Sequence, residues 1–121
     1  MPIDLVTAVT AKALDGLYAR QAATAQNIAN ANSANYAPLR VSFEAELRDA
    51  AAARTNNDAA DRLARVRAVI PRIDTPLPVD GNGVRVDSEI ATASETSARY
   101  AMLIGMLDRT LQLRQLAIKG A

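Results

Sequence analysis

The side chains that could do chemistry in this chain of 121 residues are carboxylates, arginines and amides, since it contains no histidine and no cysteine. That composition removes the proton shuttle that works at pH 7, the thiol nucleophile and the usual transition-metal ligands. Carboxylate pairs such as Glu44 with Glu46, or Glu89 with Glu95, have the type needed for general acid–base catalysis. Their spacings are those of exposed helix faces, without an apolar pocket that would shift a pKa. Because the chain also lacks a phosphate loop, a zincin motif and a nucleophile elbow, we expect no enzyme activity, no cofactor and no metal.

Arginines are numerous between residues 48 and 72, which raises the question of nucleic-acid binding. Nucleic-acid sites combine such charge with aromatic side chains or a recognisable motif, whereas aromatics are 3% of this chain and its formal net charge is +1. We interpret the arginines as a solvated basic face, and expect neither nucleic acid nor a small-molecule substrate as a partner. They are Arg48, Arg54, Arg62, Arg65, Arg67 and Arg72.

Asparagines dominate the most informative stretch, residues 25–36, which reads AQNIANANSANY. Asparagine side chains compete for backbone hydrogen bonds and tolerate the left-handed conformation that ends helices. The stretch therefore predicts a helix terminus and a turn held by side-chain amides, after which an extended chain resumes. The residues that we assign to this signature turn are Asn27, Asn30, Asn32, Asn35 and Tyr36.

The same stretch resembles the N-terminal signature of the bacterial flagellar rod, hook and axial-protein family, which reads approximately A-x-N-I-A-N-A-[ND]-T-P-G-Y. Ser33 replaces the threonine of that signature, Ala34 the proline and Asn35 the glycine. Because asparagine is the non-glycine residue best able to adopt a positive φ, we expect Asn35 to be left-handed. The matching residues are Ala25, Asn27, Ile28, Ala29, Asn30, Ala31, Asn32 and Tyr36.

Similarity to the short proximal-rod subunits of that family extends to both ends of the chain. It covers residues 41–47, residues 86–90, Arg99 with Tyr100, and residues 114–120. The resemblance implies a structural subunit of the flagellar basal-body rod, which spans the periplasm. It implies export by the flagellar type III apparatus without a cleaved signal peptide. The implied partners are other copies of the chain, related rod proteins, the membrane ring and export gate at the rod base, and a rod adaptor protein.

Residues 86–118 predict the longest helix, through which an apolar repeat of 3.5 residues runs, as is typical of a helix that lies along another helix. Asp87 is the predicted N-cap, and Gly120 is predicted to end the helix. Burying each large side chain of the repeat contributes about 1.5–3 kcal/mol. That only balances the entropy of ordering the helix, so we expect it to need a partner. The repeat falls on Val86, Ile90, Ala93, Ser97, Tyr100, Ile104, Leu107, Leu111, Arg114 and Ile118.

Residues 3–30 predict a second helix with the same repeat, diluted by polar positions. Its polar face has too few lysines and arginines for a membrane-surface helix, so we expect it to pack against the C-terminal helix. The assembly contacts that we predict for the two helices are Leu14, Leu17, Ile28, Ile90, Tyr100, Ile104, Leu107, Leu111 and Ile118.

The middle of the chain has weaker signals. Ser42 is the candidate cap of a short helix over residues 43–54, and residues 55–58 indicate a break. Residues 65–69 and 83–86 alternate like short strands, and the prolines between them favour a mobile segment.

Together these signals predict a mainly α, elongated protein in which two long terminal helices form a coiled-coil-like pair that is stable only in an assembly. The expected organisation is one structural unit: a signature helix over residues 1–33, a mobile or partly β middle over 34–82, and a heptad helix over 83–121. The expected function is a rod subunit that polymerises for flagellum-dependent motility. The alternative is a cytoplasmic helical adaptor or export chaperone of a type III secretion system. The asparagine signature argues against this alternative, because the helix of a simple adaptor does not need it.

Overall fold

The computed structural model describes residues 3–52, 56–66 and 84–120, and these form four helices. No strand occurs among the described residues, so the prediction of a mainly α protein with a long C-terminal helix is confirmed. The helices are α1 (Ile3–Ala29), α2 (Glu44–Ala51), α3 (Asn56–Arg65) and α4 (Val86–Lys119).

Helix α1 is the centre of the arrangement, because it contacts each of the other three helices. Helices α2 and α3 pack against it and against each other, and α4 packs along α1. Helices α1 and α4 run antiparallel, since Asn27 lies against Glu89 while Gln21 lies against Ser97. At about 1.5 Å per residue, α4 is about 51 Å long and α1 about 40 Å. The longer helix therefore cannot be covered along its whole length by its partner.

The apolar core lies where α1, α2 and α3 meet, and the connection between α1 and α2 contributes to it. Partly buried side chains from the first half of α1, and Leu103 of α4, pack at its edge. The buried members are Leu17, Ala23, Val41, Phe43, Leu47, Ala50, Leu63 and Val66.

Phe43 reaches α1 at Gly16, and this contact fixes the position of α2. A Cβ atom on Gly16 would lie only 2.5 Å from the Phe43 ring, so glycine alone leaves room for the aromatic group. One turn along α1, the Arg20 guanidinium carbon lies 5.0 Å from the ring centroid, and the side chain also donates to the Val41 carbonyl at 2.8 Å. Arg20 forms an ion pair with Glu44 as well. Partial burial acts to raise the pKa of Glu44, but hydrogen bonds from Arg20 and from backbone N–H groups outweigh it and lower that pKa.

The helix ends correct two predicted caps. Helix α2 begins at Glu44 with Phe43 in the cap position and no side-chain cap bond, so the cap assigned to Ser42 is wrong. Helix α4 begins at Val86 with Arg85 as N-cap, so Asp87 lies in the first turn instead, where its charge still suits the helix dipole. The prediction for the other end is confirmed, because Gly120 caps α4 in the left-handed region at φ 70°.

The middle segment contains a helix that the sequence analysis missed. The predicted break over residues 55–58 is wrong from Asn56 onward, where α3 begins, and Arg65 ends this helix instead of starting a strand. Helix α3 forms because Ala59, Leu63 and the following Val66 share one buried face, which outweighs the helix-breaking character of the asparagines. Residues 67–83, which hold the prolines of the predicted mobile segment and most of the first predicted strand, lie outside the described residues. The second predicted strand, over residues 83–86, is wrong where it is described, because Val84 and Arg85 are not in a strand and Val86 begins α4.

The predicted apolar repeat of α4 meets α1 only in part, through Ala93 and Ser97, which accept hydrogen bonds from Gln21, and through Tyr100 in the groove beside Leu17. The buried residues of α4 are Glu89 and Thr96, each one position before a residue of the repeat. Ile90, the residue of the repeat after Glu89, is exposed. One residue corresponds to a rotation of about 100° around a helix, so the exposed members of the repeat, such as Ile90, point away from α1.

We expect Gly16→Ala to lower the free energy of unfolding by about 1–2 kcal/mol, because displacing the Phe43 ring outweighs the better helix propensity of alanine. Gly105→Ala is the matched control, since nothing in the described chain lies within 4 Å of a Cβ atom there. That variant should gain up to about 1 kcal/mol. Urea unfolding followed by circular dichroism measures both, and equal shifts would contradict the Phe43 contact.

Candidate functional site

The amide of Asn27 is the centre of a buried network that joins α1, α4 and the chain between α1 and α2. Asn27 is fully buried (0% exposed). Its Nδ2 donates to the Leu39 carbonyl at 2.9 Å and to Glu89 Oε2 at 3.1 Å. Its Oδ1 accepts from the Tyr36 hydroxyl at 2.9 Å and from the Leu39 N–H at 2.8 Å. The four hydrogen bonds use the full capacity of an asparagine amide, so no other side chain can replace it without leaving a partner unsatisfied.

Glu89 brings a negative charge into this network while being only 1% exposed. Arg40 donates to Glu89 Oε1 at 2.6 Å, and the same Nη1 atom also donates to the Leu39 carbonyl at 3.0 Å. A buried carboxylate is tolerated only when it is paired and hydrogen-bonded, and here each oxygen has a partner. We define the Asn27 network as Asn27, Tyr36, Leu39, Arg40 and Glu89.

The signature turn follows α1 directly and is held largely by its own side chains. Asn30 Nδ2 donates to the Gln26 carbonyl at 2.9 Å, which satisfies a backbone group at the end of the helix. The Ser33 hydroxyl donates to Asn30 Oδ1 at 3.1 Å. Asn35 has φ 60°, the left-handed conformation predicted for it. After the turn, the Tyr36 hydroxyl donates to Oδ1 of Asn27, which is the first asparagine of the signature.

The structure confirms the predicted roles of some asparagines of the turn and not of others. The amide role of Asn30 and the left-handed backbone of Asn35 are confirmed, and Asn27 does more than hold a turn because it contacts α4. Asn32 is exposed. The sequence analysis placed Glu89 on an exposed helix face, and this is wrong because the residue is only 1% exposed. It missed Arg40, because an exposed arginine is an ordinary surface feature.

The predicted assembly contacts fall into two groups in the single chain. Leu17 is buried, and Leu14, Ile28 and Leu107 are half-buried, so the chain itself already covers them to different degrees. The others are exposed, up to 78% for Ile118. A second set of large apolar residues on α4 is exposed too, comprising Met102, Met106, Leu113 and Leu116. The exposed members of the predicted set are Ile90, Tyr100, Ile104, Leu111 and Ile118.

A groove of about 370 Å³ lies between α1 and α4. Gln21 spans it, donating to the Ala93 carbonyl at 3.2 Å and to the Ser97 hydroxyl at 3.0 Å. Its other lining residues are Leu17, Tyr18, Thr96, Tyr100 and Ala101, so the groove contains no carboxylate or lysine that could act as a general acid or base.

No group of three or more potential metal-binding side chains lies together among the described residues. Among the same residues, no helix combines the length and apolar character needed to cross a membrane.

Comparison with protein-family models finds none that matches this chain, and comparison with curated proteins finds no match either.

We expect Asn27→Asp to lower the free energy of unfolding by about 3–5 kcal/mol, because it places a second carboxylate beside buried Glu89. Adding Glu89→Gln should recover part of this loss, since a glutamine amide can donate to Asp and still accept from Arg40. A double-mutant cycle from urea unfolding measures the coupling. Strictly additive losses would show that Asn27 and Glu89 do not interact.

Asn35→Gly should be tolerated, while Asn35→Val should lose about 1–3 kcal/mol because a β-branched residue is strained at φ 60°. Asn32→Val is the matched control, since Asn35 is the only described non-glycine residue with a positive φ. Thermal unfolding measures the three variants. If valine has the same effect at both positions, the left-handed conformation is not maintained in solution.

Proposed function

We propose that this chain is a structural subunit of the bacterial flagellar basal-body rod, of the proximal FlgB type. It acts by polymerising and not by catalysing a reaction. Its partners are other copies of itself, related rod proteins, the rod adaptor and the membrane ring and export gate at the rod base. It reaches the periplasmic rod through the flagellar type III export apparatus.

The observation that carries this proposal is the apolar surface left exposed along α4. Val86, Ile90, Ile104, Leu111 and Ile118 belong to the 3.5-residue repeat, and all are exposed in the single chain. Monomeric proteins rarely leave extended apolar surface uncovered, because burying each large side chain contributes about 1.5–3 kcal/mol. A helix whose apolar repeat is largely exposed in the single chain is suited to an assembly in which other chains cover these residues.

The signature turn supports the flagellar family as the kind of assembly. Asn35 has a left-handed backbone at the place where the family signature has glycine. Asn27 and Tyr36, which match the signature, bond to each other across the turn. The hydrogen-bonded turn thus sets where the chain leaves α1, whereas a simple adaptor helix requires no such turn.

In the assembled rod, we propose that the exposed row of α4 forms the coiled-coil-like contact that the heptad pattern predicts. The contact of α1 with α4 inside one chain is anchored by polar groups, Asn27 with Glu89 and Gln21 with Ser97. Neighbouring subunits would then supply the apolar partner of the row. Burial of these rows in several copies together would stabilise the end of α4, which is exposed from residue 111 to residue 120 in the single chain.

Deleting the gene and isolating basal bodies from the wild-type strain tests the proposal. A rod subunit predicts no rod, hook or filament beyond the membrane ring in the deletion strain, and recovery of the protein in wild-type basal bodies. A protein that stays cytoplasmic and is missing from purified basal bodies would instead be an adaptor or export chaperone.

Leu111→Asp should abolish motility and incorporation into basal bodies while the free protein stays folded, because the side chain is exposed in one chain but would be buried in the rod. Ser88→Asp, which adds the same charge to the exposed first turn of α4, is the matched control and should leave both unchanged. Swarming and immunodetection in basal bodies measure the effect. Normal swarming of the Leu111 variant would show that this row makes no rod contact.

A further inference from the structure

Two glycines lie inside the long helices, and the structure explains only one of them within the chain. Gly16 in α1 is needed because the Phe43 ring lies where a Cβ atom would be. Gly105 lies in the interior of α4, where glycine weakens a helix relative to alanine. Nothing in the described chain comes within 4 Å of its Cβ position. The close approach that would explain Gly105 is therefore not made by any described residue.

The residues around Gly105, on the exposed side of α4, follow the same sequence pattern as the residues around Gly16 in α1. Arg20 follows Gly16 by four residues and lies over the Phe43 ring. Arg109 stands at the same place relative to Gly105. Apolar side chains flank both glycines three residues before and one residue after. They are Ala13 and Leu17 around Gly16, and Met102 and Met106 around Gly105.

The residues around Gly105 form an open pocket of about 250 Å³, lined by Met102, Gly105, Met106 and Arg109. Both methionines are more than half exposed. Within the described residues, no ion pair or hydrogen bond holds the Arg109 guanidinium, whereas Arg20 is fixed by Glu44 and Val41. Methionine sulfur and a guanidinium both interact favourably with an aromatic ring. The pocket has the composition of an aromatic binding site.

We propose that this Gly105 pocket binds the ring of Tyr18 from a second copy of the chain. The proposal deepens the proposed function, because it rests on self-assembly and names one contact through which copies associate. The ring would lie on the glycine backbone between the two methionines, with Arg109 over its face, as Phe43 lies on Gly16 beneath Arg20.

The aromatic inventory of the chain identifies Tyr18 as the occupant. The sequence holds one phenylalanine, three tyrosines and no tryptophan, and residues 67–83 contain none of them. Phe43 is buried and Tyr36 is bound to Asn27. Tyr18 and Tyr100 both line the groove between α1 and α4, and only 37% of Tyr100 is exposed. Tyr18 projects from α1 with 70% of its surface exposed, more than any other aromatic side chain described.

Each copy would offer both a ring on α1 and a pocket on α4. Such a contact joins two different surfaces, so it can be repeated from copy to copy without closing, unless two copies satisfy each other's pocket symmetrically. Open repetition is what a polymer requires. The stoichiometry measured for the purified protein therefore reports which of the two arrangements forms.

Sedimentation of purified variants over a range of concentrations tests the contact. Gly105→Ala should weaken self-association at least tenfold while leaving the thermal unfolding midpoint of the monomer unchanged or higher, because the added methyl fills the pocket but favours the helix. Ser94→Ala, at an exposed position of the same helix, is the matched control and should leave association unchanged. Tyr18→Phe should retain association and Tyr18→Ala should lose it. Unchanged association in Gly105→Ala would overturn the proposal.

Cross-linking identifies the occupant directly. With p-benzoylphenylalanine in place of Tyr18, irradiation should join two copies of the chain, with the bond mapped by mass spectrometry to Met102 or Met106. A bond elsewhere, or to another protein, would overturn the assignment of Tyr18. The result is separable from the rod proposal. Cross-linking at Met102 in a protein missing from basal bodies would keep the contact and reject the rod, while a rod protein without this cross-link would do the reverse.

Discussion

The buried pairing of the Asn27 amide with Glu89 is the interaction on which the arrangement of this protein depends. It joins the end of α1 to the start of α4, and Leu39 and Arg40 bind the intervening chain to the same place. In a buried site such hydrogen bonds are strong, and an unpaired member is costly. The network therefore permits one register of α4 on α1, because a shift by a single residue would leave a buried carboxylate without partners.

The polar character of this contact explains what α4 presents to its surroundings. A surface helix usually buries its apolar residues and exposes its charges. In α4 the buried residues are Glu89 and Thr96, while Ile90, Leu111 and Ile118 are exposed. Hydrogen bonds from Asn27 and Gln21 hold α4 to α1, Leu103 packs at the edge of the core, and many other apolar residues of the helix stay exposed. On the rod proposal, association with other subunits would cover this apolar surface.

The opposite side of α1 is organised by apolar packing. Phe43 seats α2 on Gly16, and Leu47 and Leu63 extend the core to α3. Helix α1 thus contributes to a small apolar core with α2 and α3 and to a polar junction with α4, formed by Asn27 and Glu89. The rod proposal assigns these two sides different tasks: the core holds the subunit together, and the junction orients the helix through which subunits associate.

The sequence alone was sufficient for the features that depend on local periodicity and backbone preference. The two long helices, the end of α4 at Gly120 and the left-handed Asn35 follow from residue types and their spacing along the chain. Helix α3 could not be predicted in the same way, because its asparagine-rich start is poor helix chemistry and only packing of Leu63 and Val66 compensates for it.

Tertiary structure alone decided which face of α4 meets α1. The 3.5-residue repeat shows that a helix has an apolar row, but it contains no information on whether the row faces the same chain or another one. That choice was made by the pairing of Asn27 with Glu89, 62 positions apart in the chain. Neither residue carries a sequence signal for the other, because an asparagine near a turn and an acid in a first helical turn each have an ordinary local explanation.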